Sequence, residues 1–126
     1  MIAGIGVDLA TISRVTRVHG RFGARFARRF LHESELTAYH EHERPEHFLA
    51  KRFAVKEAAV KALGTGERQG VLLRDFYLQH DDLGKPLLMV SGKAKELCDA
   101  RGINGFWVSL SDEGDTVAAF VVLEHS

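Results

Sequence analysis

Cysteine is nearly absent from this chain: Cys98 is the only one among 126 residues. A lone thiol excludes an internal disulfide framework and any multi-cysteine zinc site. Proline is scarce too, at two residues, and there is neither a low-complexity stretch nor a repeat. Those gaps argue against a disordered or solenoid chain. Net charge is missing as well, because 17 Lys+Arg balance 17 Asp+Glu. A generally basic nucleic-acid binder is disfavoured, although a local patch is not. The apolar N-terminal stretch is short, lacks a basic leader region and is interrupted by Asp8. Neither a signal peptide nor a membrane span is expected, and the cytoplasm is the expected location. What remains, 45% hydrophobic and 27% charged residues, is the make-up of a soluble globular protein. The length suits one domain, expected over residues 1–126, that folds without disulfides or structural metal.

The β-branched run Ile2 to Leu9 predicts a strand. Ile12, Val15, Val18, Phe22, Phe26 and Phe30 then recur at helical spacing, with a break expected near Gly20 or Gly23. Ser34 to His42 reads as a short helix. Pro45 suits the first turn of a long helix that Gly64 stops after Leu63. Beyond Gly70, strands are expected at Phe76 to Leu78 and Leu87 to Val90, joined by a turn at Asp82 to Pro86. Ser91 can cap a helix through Ala100. A final hairpin pairs Phe106 to Leu110 with Thr116 to Leu123 across Asp112 to Asp115. The order predicts an α+β fold with helices packed on one face of a mostly antiparallel sheet.

The long helix is apolar almost all round between Phe53 and Leu63, yet carries Lys56, Glu57 and Lys61. Glu57 and Lys61 are four apart and share a face. They read either as an ion pair on a solvated face or as a carboxylate opened to a cleft, since a buried one is costly. Asp8, at the end of the first strand, reads as a turn or cap residue, or as a magnesium ligand. Magnesium is commonly held by one or two carboxylates plus substrate phosphates, which Asp8 and Glu57 can supply, with Lys61 offsetting phosphate charge.

Gly64, Thr65 and Gly66 end the helix, either as a plain stop or as a close approach to phosphate. Gly84, Lys85 and Pro86 alone read as an ordinary turn. Seven histidines are present, but His40 and His42 are two apart and no His-Glu-x-x-His motif occurs, so a histidine metal site is not expected. Cys98 reads as a small core residue. Arg14, Arg17, Arg21, Arg25 and Arg28 are three or four apart, and no acid lies between Asp8 and Glu33. This positive stripe is a solvated face or a docking surface for an acidic partner. Phe22 and Phe26 beside it are expected mainly in the core.

Two motifs occur together. One is Gly4-Ile5-Gly6-Val7-Asp8 followed by Ile12 and Arg14. The other is Arg52-Phe53-Ala54-Val55-Lys56-Glu57-Ala58 followed by Lys61-Ala62 and Gly64-Thr65-Gly66. The whole chain resembles the holo-[acyl-carrier-protein] synthase family, the short bacterial type of 4'-phosphopantetheinyl transferase. The resemblance implies transfer of phosphopantetheine from coenzyme A to a serine of acyl carrier protein in fatty acid biosynthesis, with release of adenosine 3',5'-bisphosphate. It implies magnesium on Asp8 and Glu57, phosphate contact by Lys61, and catalysis by Glu57 and Lys61. It implies a homotrimer with coenzyme A at the subunit interfaces, contacted by Gly64, Thr65, Gly66 and by Gly84, Lys85, Pro86. Arg14, with Arg21 and Arg25, is the implied dock for the acidic carrier; nucleic acid and membrane are not expected partners. One position departs: many members have Ser-Leu-Ser-His where this chain has Ser109-Leu110-Ser111-Asp112. An aspartate cannot donate to a phosphate as a protonated histidine can. The competing readings are a transferase for a polyketide or peptide carrier domain, and a non-catalytic module that grips an acidic protein.

Overall fold

Alternation of side chains along a strand puts every second residue on one face. The final strand, β5 (Thr116–His125), uses this fully: Val117, Ala119, Val121 and Leu123 are all buried. In the computed structural model, which describes residues 1–64 and 69–126, β5 is the centre of a three-stranded antiparallel sheet. It lies between β1 (Ile2–Thr11) and β4 (Ile103–Glu113). A separate hairpin pairs β2 (Phe76–His80) with β3 (Pro86–Val90). The expected mostly antiparallel sheet is thus two antiparallel sheets.

The long helix α4 (Pro45–Leu63) packs its alanine-rich surface on the inner face of the larger sheet. Pro45 opens it, and Gly64 closes it at φ 81°, a left-handed conformation that glycine adopts without strain. The approach of β1 is close enough to require Gly4 and Gly6. A Cβ at Gly4 would stand 1.9 Å from the Ala62 carbonyl oxygen, and one at Gly6 would stand 2.1 Å from that of Ala58. These glycines, read from sequence only as strand residues, let strand and helix backbones touch. Gly6→Ala is therefore expected to cost about 1–3 kcal/mol or more by overpacking and to displace Asp8 two residues on. A thermal melt checks this; an unchanged midpoint would contradict the contact.

The arginine-bearing segment breaks at Gly23 into α1 (Ile12–Phe22) and α2 (Ala24–Phe30). The segment expected as one helix from Ser34 is a 3₁₀ turn, Glu33–Glu35, leading into α3 (Leu36–Glu41). Helix α5 (Gly92–Ala100) follows β3. Two helix starts rest on remote carboxylates. Asp115, in the β4–β5 turn, accepts from the Ser13 amide at 2.9 Å and from the Ser13 hydroxyl at 2.5 Å. Asp75 accepts from the Ala94 amide at 3.3 Å, while Ser91, the expected cap of α5, makes no capping bond and donates to the Asp75 carbonyl.

Among the described residues, no helix packs on the outer face of the larger sheet. Ile5, Val7, Leu9, Trp107 and Phe120 all lie on it, each between 45 and 67% exposed. No helix among the described residues is long and apolar enough to cross a membrane.

Candidate active site

Gly4 meets Ala62 and Gly6 meets Ala58, so β1 steps along α4 one helical turn at a time. The next residue facing the helix is Asp8. Asp8 is not at a strand end, as the sequence suggested, because β1 continues to Thr11. It makes no turn or cap. Its Oδ1 accepts from Lys61 Nζ at 2.9 Å, and that ammonium also donates to the Val7 carbonyl at 3.1 Å. Lys61 is one turn beyond Glu57 on the same helix face. Asp8 and Lys61, 53 residues apart in the chain, are thus paired, with Glu57 one turn from Lys61 along α4.

Glu57 is half-buried and opens to a cavity of about 750 Å³, which Phe26, Arg29, Phe53 and Arg74 also line. Among the described residues no group of three or more His, Cys, Asp or Glu gathers as a metal cluster. A magnesium ion that draws its remaining ligands from phosphates and water needs only one or two carboxylates, and the Asp8–Glu57 donor set fits that chemistry.

Behind Glu57 lies an ionic cluster that the sequence did not disclose. Lys56, 1% exposed, donates to Glu35 Oε1 at 2.6 Å and to the Phe76 carbonyl. Arg52 approaches Glu35 Oε2 at 3.3 Å, and the amides of His32 and Leu78 donate to the same carboxylate. Burial pushes the Lys56 ammonium below its ordinary range, and the Glu35 carboxylate pulls it back up. Lys56 was visible as a charge in an apolar helix; nothing near Glu35 marked it as the partner. Removing one member of a buried pair strands the other, so Glu35→Ala is expected to cost about 3–5 kcal/mol in urea unfolding. A loss under about 1 kcal/mol would mean that the cluster does not hold the fold.

A second cavity, about 460 Å³, lies between the β2–β3 turn and the end of β4. Lys85 and Pro86 line it, and Gly84 supplies their turn at φ 86°. Asp112 is here too, with Lys51 Nζ 3.6 Å from its Oδ2. Gly64 is the α4 stop; Thr65 and Gly66 lie outside the described residues.

Residues 4–121 match the 4'-phosphopantetheinyl transferase superfamily. The chain belongs to that superfamily. One relative, the holo-[acyl-carrier-protein] synthase of Vibrio cholerae, is 52% identical over 125 residues, 99% of each chain. That of Photobacterium profundum is 50% identical over 123 residues, 98% of each. Among solved structures, the holo-[acyl-carrier-protein] synthase of Neisseria meningitidis superimposes with a TM-score of 0.91 at 44% identity, covering 98% of this chain and 99% of the other. The Helicobacter pylori synthase in complex with coenzyme A gives 0.82 at 30% identity, covering 95% and 99%.

The arginine stripe runs along α1 and α2. Arg14 and Arg21 on α1, and Arg25 on α2, are all exposed. Arg14 also borders a cleft of about 340 Å³ lined by Leu9, Val15, Val18, Phe26 and Phe53. Phe22 is not in the core: it is exposed, with the Arg21 guanidinium 5.2 Å from its ring centre. Phe26 is partly buried between two clefts. Cys98 is fully buried, and burial raises its thiol pKa.

Proposed function

We propose that this chain transfers 4'-phosphopantetheine from coenzyme A to a serine of apo acyl carrier protein. The observation that carries the reading is the Asp8–Lys61 pair where β1 crosses α4, with Glu57 one helical turn from Lys61. In the reaction the serine Oγ attacks the phosphorus that bears pantetheine. The Oγ–P bond forms, the P–O bond to the nucleotide breaks, and adenosine 3',5'-bisphosphate leaves with the electron pair. Such a step is chiefly positioning and charge neutralisation. Lys61 brings its ammonium to the phosphate oxygens. Glu57, open to the cavity, takes the proton of the serine hydroxyl. Asp8 and Glu57 would hold magnesium, whose charge would offset that of the pyrophosphate.

Two features support a homotrimer with coenzyme A between subunits. An apolar sheet face of this extent marks an interface in a folded protein. Lys51, at the second cavity, and Lys61 are ten residues apart on α4, about 15 Å along its axis. That exceeds the reach from the 5'-diphosphate to the 3'-phosphate across one ribose. If Lys61 and the Lys85 turn grip the same coenzyme A, they come from two protomers.

The carrier docks on Arg14, Arg21 and Arg25. Arg14→Glu is expected to raise the KM for the carrier about tenfold or more at low salt, and to leave that for coenzyme A nearly unchanged. An unaltered carrier KM would reduce the stripe to a solvated face. The reaction itself is tested by incubating the chain with coenzyme A, magnesium and apo acyl carrier protein. A mass gain of one phosphopantetheine on the carrier is expected; no gain on that carrier but gain on a polyketide or peptide carrier domain would reassign the substrate. No gain on any would leave a binding module.

A further inference from the structure

Helix α1 carries Arg14 near one end and Arg21 near the other, about 10 Å apart along its axis. The two ends are held differently. Ile12 and Val15, its buried residues, both lie in the first turn, where Asp115 also binds Ser13. The last turn carries His19 and Arg21 and ends at Gly23. Gly20, between them, is a poor helix former, so this end gains little from its own propensity. Here one imidazole reaches two other helices. His19 Nε2 is 2.6 Å from the Tyr39 hydroxyl on α3, and His19 Nδ1 is 3.7 Å from Glu46 Oε1 in the first turn of α4. Tyr39 is buried, and its ring meets that of His19 edge to face.

We propose that His19 is a positioning residue for carrier docking: with Tyr39 and Glu46 it clasps the last turn of α1 to α3 and α4, and so fixes where Arg21 presents its charge. The inference rests on the reading that the carrier docks on the arginine stripe. A neutral ring accepts from Tyr39 at Nε2 and holds its proton on Nδ1, towards the carboxylate; a charged ring donates from both nitrogens. The clasp closes in either state. Glu46 stands at a helix N-terminus and His19 near a helix C-terminus, and both placements suit the backbone dipoles. An arginine whose helix end is already held loses less conformational freedom when an acidic partner docks on it.

Tyr39→Phe is the probe, because it removes one uncharged hydroxyl and keeps the ring against Phe48. That hydroxyl belongs to a buried residue, so a change in carrier binding must pass through His19. The KM for apo acyl carrier protein should rise about three- to tenfold, the worth of one hydrogen bond, while kcat and the KM for coenzyme A stay nearly unchanged. His19→Ala should do the same. His19→Gln, whose amide can both accept and donate, should restore much of the loss. In an Arg21→Ala background Tyr39→Phe should add little, as expected of residues that act through one another. A merely structural contact would worsen kcat and both KM values together, and that result overturns the proposal. So does a double variant whose losses simply multiply. Arg21→Ala separates the two failures. If it raises the carrier KM and Tyr39→Phe, folded, does not, only the clasp falls. If neither variant moves the carrier KM, the docking reading falls with it.

Discussion

Replacing Glu57 with glutamine should remove nearly all transfer activity while the chain folds as before. Glutamine matches glutamate in size, so the half-buried position beside the cavity keeps its packing. What disappears is one negative charge and one proton acceptor. Loss of a positioned general base alone is worth about 10²- to 10⁴-fold. Loss of the proposed magnesium ligand would act in the same direction. The check is the rate of carrier modification at saturating coenzyme A, beside a melting curve. More than a tenth of the normal rate in a fully folded variant would remove Glu57 from the chemistry.

The second large effect concerns the bare sheet face. Phe120 lies at its centre, opposite Val7 on one side and Ser109 on the other. Phe120→Glu leaves the protomer's own core intact, because the side chain points away from α4 and is already exposed. In a symmetric assembly it puts one unpaired carboxylate per subunit into an apolar contact. Each costs several kcal/mol to desolvate. If the face forms the proposed trimer, the variant should sediment as a monomer and lose activity by about two orders of magnitude or more, since half of each proposed coenzyme A site would be gone. A folded variant that stays assembled would refute this use of the face. A folded monomer with normal turnover would refute the shared site.

The elements that were legible in the sequence are those whose causes are local. Pro45 and Gly64 bracket α4 to the residue, because a fixed φ and a left-handed stop act where they stand. The five strands, three in the larger sheet and two in the hairpin, followed from apolar runs set off by turn residues. Asp8, Glu57 and Lys61 drew notice as charges among apolar neighbours. What escaped notice depends on contacts between distant segments. Glu35 is an ordinary acid in an ordinary polar stretch until the fold puts Lys56 and Arg52 against it. Asp115 looked like a turn residue and serves also as the cap of α1. Gly4 and Gly6 looked like weak strand residues because the helix they touch lies more than fifty positions away. The sheet was expected to be covered on one face; the apolar character of the other became plain only once register aligned Val7 with Phe120 and Ile5 with Val122.

The buried Glu35–Lys56–Arg52 cluster also settles an orientation. A helix with one greasy stripe turns that stripe inward, and hydrophobicity alone fixes its rotation. Helix α4 is lined with alanines and valines on several sides, so turning it about its axis would change the apolar burial little. Arg52 and Lys56, one turn apart, both reach the same carboxylate, and a rotation of even a third of a turn would leave three charges without partners in the interior. The cluster thus works as a key in a slot. It admits one angular setting of the helix, and in that setting Glu57, the very next residue, faces the cavity with Lys61 turned toward Asp8.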